Sequence, residues 1–223
     1  MATSGAGVAI LGSASEAAFA GRHLRIGVVG LGIGTIAAYG RPGDTIRFYE
    51  INPEVIRIAN DHRYFTFLSD SPANVEIIPG DARLSMEREL EQNEPQGFDV
   101  LVIDAFSGDA IPVHLLTQEA FEIYLRHLKK PSGILAIHVT NTYLDLRPII
   151  VGAGRHFGLK TAWVHSPGDG RLAKKANWML LSLDNKILGS DVTGKELGEQ
   201  IPHFRPIRPW TDDYSNLLQI LNK

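Results

Sequence analysis

Two runs decide the fold of this chain: Arg25-Ile-Gly-Val-Val-Gly-Leu-Gly-Ile-Gly-Thr35, and then Thr45-Ile-Arg-Phe-Tyr-Glu50 leading into Ile51-Asn52-Pro53. The first is an apolar run of strand length that ends in three alternating glycines, Gly30, Gly32 and Gly34. The second ends on one acid, Glu50. Glycines at such a place let the backbone turn sharply and approach a ligand with no Cβ in the way. A carboxylate after the next strand suits the two hydroxyls of a ribose. The pattern predicts a parallel α/β sheet that holds a nucleoside. Its spacing narrows the choice, because dinucleotide binders use G-x-G-x-x-G with a third glycine beneath the pyrophosphate, and Thr35 stands at that position here. A G-x-G-x-G turn suits a ligand without phosphates, such as S-adenosylmethionine or a relative. An ordinary tight strand-to-helix turn is the competing reading, and the offset of Glu50 from the glycines weighs against it.

Outward from this stretch, strands and helices alternate. Pro53 opens a helix with Val55, Ile56 and Ala59 on its buried face. Asn74 to Ile78 reads as a strand, and a charged helix follows Gly80-Asp81-Ala82 until Pro95 and Gly97. Asp99-Val-Leu-Val-Ile-Asp104 is nearly all aliphatic, as expected of a central parallel strand covered on both faces. A helix from Thr117 to about Leu128, a strand from Ile134 to Val139 and a helix near Leu144 to Phe157 come next. Two final strands, Leu159 to His165 and Asn177 to Leu183, are close enough in sequence to pair antiparallel. The expected fold is therefore α/β: a doubly wound, mostly parallel seven-stranded sheet of the S-adenosylmethionine-dependent methyltransferase (Rossmann-like) type, spanning residues 25–223. Residues 1–24, rich in Ala, Gly and Ser, read as a poorly structured lead-in with a possible helical turn at Ser15 to Ala20.

Composition narrows the function. A length of 223 residues suffices for one full core. With 22 Lys+Arg against 25 Asp+Glu, the chain carries no basic footprint for nucleic acid or for a membrane surface. The absence of cysteine excludes disulfides, thiolate metal sites and cysteine nucleophiles. No apolar run approaches the roughly twenty residues that span a bilayer, and Met1 to Gly21 lacks the basic start and long apolar centre of a signal peptide. A cytoplasmic location without membrane contact is the expectation.

Ligands of an open parallel sheet bind beyond the carboxyl ends of its strands. The residues there are the glycine turn, Glu50, Asp81, Asp104 and Asn141. Three acids at successive strand ends are poor core residues, because an unpaired buried carboxylate is costly. Each has a plainer reading too: Glu50 and Asp104 could favour a helix start or a turn, and Asp81 could N-cap the helix from Ala82. Thr211-Asp-Asp-Tyr214 reads either as a helix start or as a further cation contact through Asp212 or Asp213. The eight histidines show no paired metal spacing, so no metal is expected. His114 and His138 fall near the predicted cleft and read as packing. Arg171, Lys174 and Lys175 read as a solvated loop or a cover over the cleft.

Taken together, Gly30-Leu-Gly-Ile-Gly-Thr35, Tyr49-Glu-Ile-Asn-Pro53, Gly80-Asp-Ala82, Asp104-Ala-Phe-Ser-Gly-Asp-Ala-Ile-Pro-Val-His-Leu-Leu-Thr117 and Trp210-Thr-Asp-Asp-Tyr214 resemble the spermidine synthase family. The nearest likeness is to the synthase-like domains fused behind transporter domains in some bacterial membrane proteins, over roughly Arg25 to the C-terminus. The resemblance implies that Glu50 binds ribose, that Asp81 and Ala82 bind adenine, and that Asp104 takes the reacting amine of a polyamine and acts as general base. It also implies a possible homodimer. The chain departs from the family pattern where Ser107 stands in place of a second acid, for which Asp109 is the nearby substitute. It departs again where Leu31, Gly32 and Ile33 leave the glycine turn without one. The family's N-terminal β-rich domain finds no room in the first 24 residues.

Three functions follow as expectations. The first is aminopropyl transfer from decarboxylated S-adenosylmethionine to a diamine such as putrescine. The second is methyl transfer from S-adenosylmethionine to a small acceptor. The third is a catalytically weak domain that binds nucleoside or polyamine on behalf of a partner.

Overall fold

The protein is described by a computed structural model, which defines residues 4–105, 112–168, 175–184, 204 and 207–222. Its centre is the expected seven-stranded sheet. The strands are β1 (Arg25–Val29), β2 (Thr45–Glu50), β3 (Asn74–Pro79), β4 (Val100–Ile103), β5 (Ile134–His138), β6 (Lys160–Ser166) and β7 (Ala176–Ser182). They lie in the order β3-β2-β1-β4-β5-β7-β6. All neighbours pair parallel except β7, which runs antiparallel to both β5 and β6. The order reverses between β1 and β4, so the carboxyl ends of β1, β2 and β4 converge on one crevice.

Alternation along the strands divides the core in two. Leu101 and Ile103 of β4 point to one face and Val100 and Val102 to the other, and all four are buried. The first face is covered by α3 (Ala82–Glu91), α4 (Gln118–His127) and α5 (Arg147–His156), through Met86, Phe121, Tyr124 and Ile150. The second is covered by α1 (Gly5–Phe19), a short 3-10 helix (Thr35–Tyr39) and α2 (Pro53–Ala59). Helix starts follow local chemistry. Asn52, Asp81 and Thr117 each accept a hydrogen bond from a first-turn backbone N–H, and Pro53 occupies a first-turn position where its missing donor costs nothing.

Helix α1 corrects the expectation of a poorly structured lead-in over residues 1–24. Ser4 caps it by accepting from the Gly7 N–H at 3.1 Å. Ala6, Ala9, Ile10, Ser13 and Ala17 then recur at helical spacing and are buried. Small side chains let it lie close on the sheet. A Cβ on Gly5 would stand 2.2 Å from the Trp178 Cβ on β7. The sequence hid this helix because glycines 5, 7 and 12 lower helix propensity, while the packing they permit supplies the stability. A second correction concerns Thr211 to Tyr214. These two residues exchange backbone hydrogen bonds at 2.9 and 3.1 Å in a tight turn, and the helical piece that follows is a 3-10 turn over Leu217–Ile220, capped by Asn216.

Candidate functional site

The carboxyl ends of β1, β2, β3 and β4 enclose a cleft of about 570 Å³. Gly30, Gly32, Glu50, Asp81, Ala82 and Asp104 line it together, with Val29, Tyr49, Ile51, Val55, Pro112, His114 and Leu115 giving apolar and polar wall. The volume falls in the range of sites for small organic ligands.

The glycine turn is built from backbone. Gly30 has φ +94°, and a Cβ there would lie 2.5 Å from the carbonyl oxygen of Asp104, so only glycine lets the ends of β1 and β4 touch. Gly32 has φ +55° with no atom within 4 Å of a Cβ position, and it presents open backbone to the cleft. Gly34, also at positive φ, lies beneath the turn, against Leu68, and does not line the cleft. Glu50 is almost fully buried, and each of its oxygens takes one backbone donor: Oε2 accepts from the Leu31 N–H at 2.9 Å and Oε1 from the Asn52 N–H at 2.8 Å. Those bonds lock the acid to the glycine turn and compensate its desolvation. Each oxygen keeps a further lone pair for hydroxyl donors.

Asp81 does two things. Its Oδ1 caps α3 by accepting from the Leu84 N–H at 3.0 Å, and its Oδ2 lies 3.1 Å from Nε2 of His114. Ala82 opens α3, where backbone N–H groups have no partner within the helix and remain available to an acceptor. Behind this wall Tyr49 donates to Glu89 Oε2 at 2.9 Å, and Arg47 bridges Glu76 and Glu89. Burial, reinforced by the adjacent Glu89 carboxylate, pushes the Tyr49 phenol well up from its ordinary value, so it stays a neutral donor.

Asp104 stands at the end of β4 with its side chain 38% exposed. Its Oδ1 lies 2.7 Å from Nδ1 of His138, whose Nε2 lies 2.7 Å from Thr140 Oγ1. Among the described residues Oδ2 makes no hydrogen bond. The His138 ring stacks on Trp178, with centroids 4.7 Å apart and planes at 13°.

Asp212 and Asp213 sit elsewhere. Asp212, expected as a cation contact, does not line the cleft: its carboxylate is gripped by both terminal nitrogens of Arg83, at 2.6 and 2.5 Å, and accepts from Thr117 Oγ1 at 2.8 Å. The hydrogen bond from Arg83 holds its carboxyl below the usual carboxylate range. Arg83 also donates to the His114 carbonyl at 3.0 Å, so Asp212 fastens the C-terminal segment behind the cleft wall. Asp213 is exposed and does not line the cleft. Asp109, Ser107, Arg171 and Lys174 lie outside the described residues. No group of three or more potential metal ligands occurs among the described residues, and no described helix is long and apolar enough to cross a membrane.

His138 and His114, read from the sequence as packing, instead touch two of the three acids of the cleft, Asp104 and Asp81. A sequence signal existed for the first. In parallel β4 and β5, Ile103 pairs with Ile137, which sets Asp104 beside His138. His114 carries no comparable signal, because a 3-10 turn rather than a strand places it.

No protein-family profile matches the chain. Two curated proteins match in sequence. The polyamine aminopropyltransferase of Vibrio vulnificus (strain CMCP6) is 36% identical over 122 residues, which is 53% of this chain and 38% of that protein. The N-terminal histidine N-methyltransferase of Emericella nidulans is 38% identical over 129 residues, which is 55% of this chain and 22% of that protein. The chain thus spans well under half the length of either curated relative. Among solved structures, human methyltransferase-like protein 13 in complex with SAH superposes with a TM-score of 0.61 at 19% identity, covering 94% of this chain and 93% of that one. A probable spermidine synthase from Corynebacterium glutamicum gives 0.58 at 22% identity, covering 83% and 66%. These structures share the fold, that of S-adenosylmethionine-dependent methyltransferases, and the curated relatives are transferases. The likeness to spermidine synthases therefore holds in sequence over about half of the chain, and in fold over most of it.

Proposed function

We propose that this chain moves an aminopropyl group from decarboxylated S-adenosylmethionine to a small diamine such as putrescine. One observation carries the reading: the Asp104 carboxylate shares a cleft with the glycine turn and Glu50, with one oxygen held by His138 and the other without a hydrogen bond among the described residues. In the proposed complex the open turn at Gly32 and the lone pairs of Glu50 receive the ribose, while Asp81 and the first N–H groups of α3 receive the adenine edge. A primary alkylamine is protonated near neutral pH, as lysine is with a pKa of about 10.4. Asp104 attracts the ammonium group and accepts its proton, which passes on to solvent. The freed nitrogen attacks the aminopropyl carbon next to sulfur. A C–N bond forms, the C–S bond breaks, and its electron pair returns to sulfur, so the positively charged sulfonium leaves as neutral methylthioadenosine. Alignment of nitrogen, carbon and sulfur in the cleft supplies much of the acceleration.

The test is turnover of decarboxylated donor and putrescine, followed by release of methylthioadenosine. Activity in the wild type that vanishes in Asp104→Asn is expected; an Asp104→Asn enzyme as active as the wild type refutes the assignment. Methyl transfer is the second reading, supported by the neutral residues Leu31, Gly32 and Ile33, which put no acid beside a donor amine. A thermal-shift panel with both donors separates the two, because a ligand at a hundredfold excess over its Kd adds about 2.7 kcal/mol to the stability of the protein. A larger shift with decarboxylated donor supports aminopropyl transfer, and a larger shift with S-adenosylmethionine supports methyl transfer.

A further inference from the structure

We infer that His138 is the positioning residue for Asp104, and that a backbone amide two strands away selects which ring nitrogen of His138 carries the hydrogen. The inference deepens the aminopropyl-transfer reading and rests on it for the identity of the acceptor.

The sheet order β4-β5-β7 lays the groups side by side. Asp104 ends β4, His138 ends β5, and His138 is the direct partner of Trp178 across the antiparallel pair with β7. The chain of hydrogen bonds then has one consistent direction. The Asn177 N–H can only donate, and Thr140 Oγ1 accepts it at 2.7 Å. The Thr140 hydroxyl hydrogen is left to donate elsewhere. The Asn177 carbonyl lies 3.5 Å from Oγ1, at the edge of hydrogen-bonding range, whereas His138 Nε2 lies at 2.7 Å. In the neutral ring Nε2 is then the acceptor nitrogen, and the hydrogen sits on Nδ1, which donates to Asp104 Oδ1. Donation to Oδ1 suits the ionised carboxylate and fixes its rotation, so that Oδ2 is the oxygen offered to an amine. Stacking on Trp178, itself only 4% exposed, holds the ring plane. A histidine that merely filled space would need neither the Thr140 hydroxyl at one nitrogen nor the carboxylate at the other.

Three variants and one spectrum test this. His138→Phe keeps the stack and removes the donor; His138→Gln keeps a donor to Asp104. With decarboxylated donor and putrescine, His138→Phe is expected to lower kcat on the order of a hundredfold, the scale of a misplaced catalytic group, with methylthioadenosine affinity unchanged, and His138→Gln is expected to restore most of the loss. Nitrogen-15 spectra of the imidazole, assigned by the signal missing in His138→Gln, are expected to show hydrogen on Nδ1 in the wild type and a mixture of tautomers in Thr140→Val. Wild-type kcat in His138→Phe, or hydrogen on Nε2 in the wild type, overturns the inference. An inactive wild type instead removes the aminopropyl reading, and the tautomer alone then decides whether His138 orients Asp104.

Discussion

The two halves of the cleft are held by different means. On the side proposed for the donor the groups belong to the backbone or are clamped by it: positive-φ glycines, the first N–H groups of α3, and Glu50 with a main-chain donor on each oxygen. On the side proposed for the acceptor the geometry comes from side chains at the ends of β4 and β5, Asp104, His138 and Thr140, with a stacked Trp178 behind them. Main-chain recognition is rigid and tolerant of sequence change at neighbouring positions. Side-chain recognition depends on every member of a short relay, and it is the half in which a common fold can take up a new acceptor.

Substitutions can separate the halves or show that they are one unit. The largest effect is expected for Asp104→Asn, which removes the proposed general base and should cut turnover by about 10²–10⁴-fold while leaving the thermal shift with methylthioadenosine intact. Loss of both would mean that the halves are not independent. Gly30→Ala is the opposite probe, because the added methyl meets the Asp104 backbone that both halves share. Strain at positive φ costs about 1–3 kcal/mol before any clash is counted, so a lowered Tm together with weaker donor binding and slower turnover is expected. Glu50→Gln is confined to the donor side. It sets an amide NH2 against a backbone N–H and leaves that donor unsatisfied at about 1–3 kcal/mol, so calorimetry should show weaker methylthioadenosine binding while kcat at saturating donor is preserved.

The smallest effect concerns the polar network behind the donor wall. His127 is fully buried, with Nε2 3.0 Å from the Met86 carbonyl and the Gln96 N–H donating to Nδ1 at 3.2 Å. Burial holds its pKa below the ordinary histidine value, against the pull of the Met86 carbonyl and Glu89. The unfolded chain therefore binds a proton that the folded ring resists. This contribution is intact above the unfolded pKa of about 6.5 and is lost as pH falls below it. Melting curves between pH 7.5 and 5.5, taken as order-of-magnitude brackets of that value, should fall more steeply for the wild type than for His127→Gln. Equal slopes would show that His127 titrates freely in the fold.

Much of the fold was legible because parallel strands announce themselves. Val100 to Ile103 is continuous aliphatic since both faces are covered, and the glycines mark the one turn that must approach a neighbouring strand. Helix α1 was illegible for the opposite reason. Its burial relies on small residues that a hydrophobic pattern does not register, and its stability comes from contacts with strands far along the chain. The site divides in the same way. Gly30, Glu50 and Asp81 could be placed from spacing, because each ends a recognisable strand. The partnership of Asp104 with His138 needed the register of two strands, and the capture of Asp212 by Arg83 needed a contact across most of the chain. Long-range pairing of this kind leaves no local trace, so an exposed acid near the C-terminus reads equally as a ligand or as a clamp.

The tight seat of α1 on Trp178 has one last consequence. Gly5 abuts the indole, the indole lies flat against an imidazole, and the imidazole grips the Asp104 carboxylate. Four packed pieces in series join helix α1 to the acid of the cleft like links in a pushrod. Anything that tugs on or braces that first helix has a mechanical route to the proposed general base.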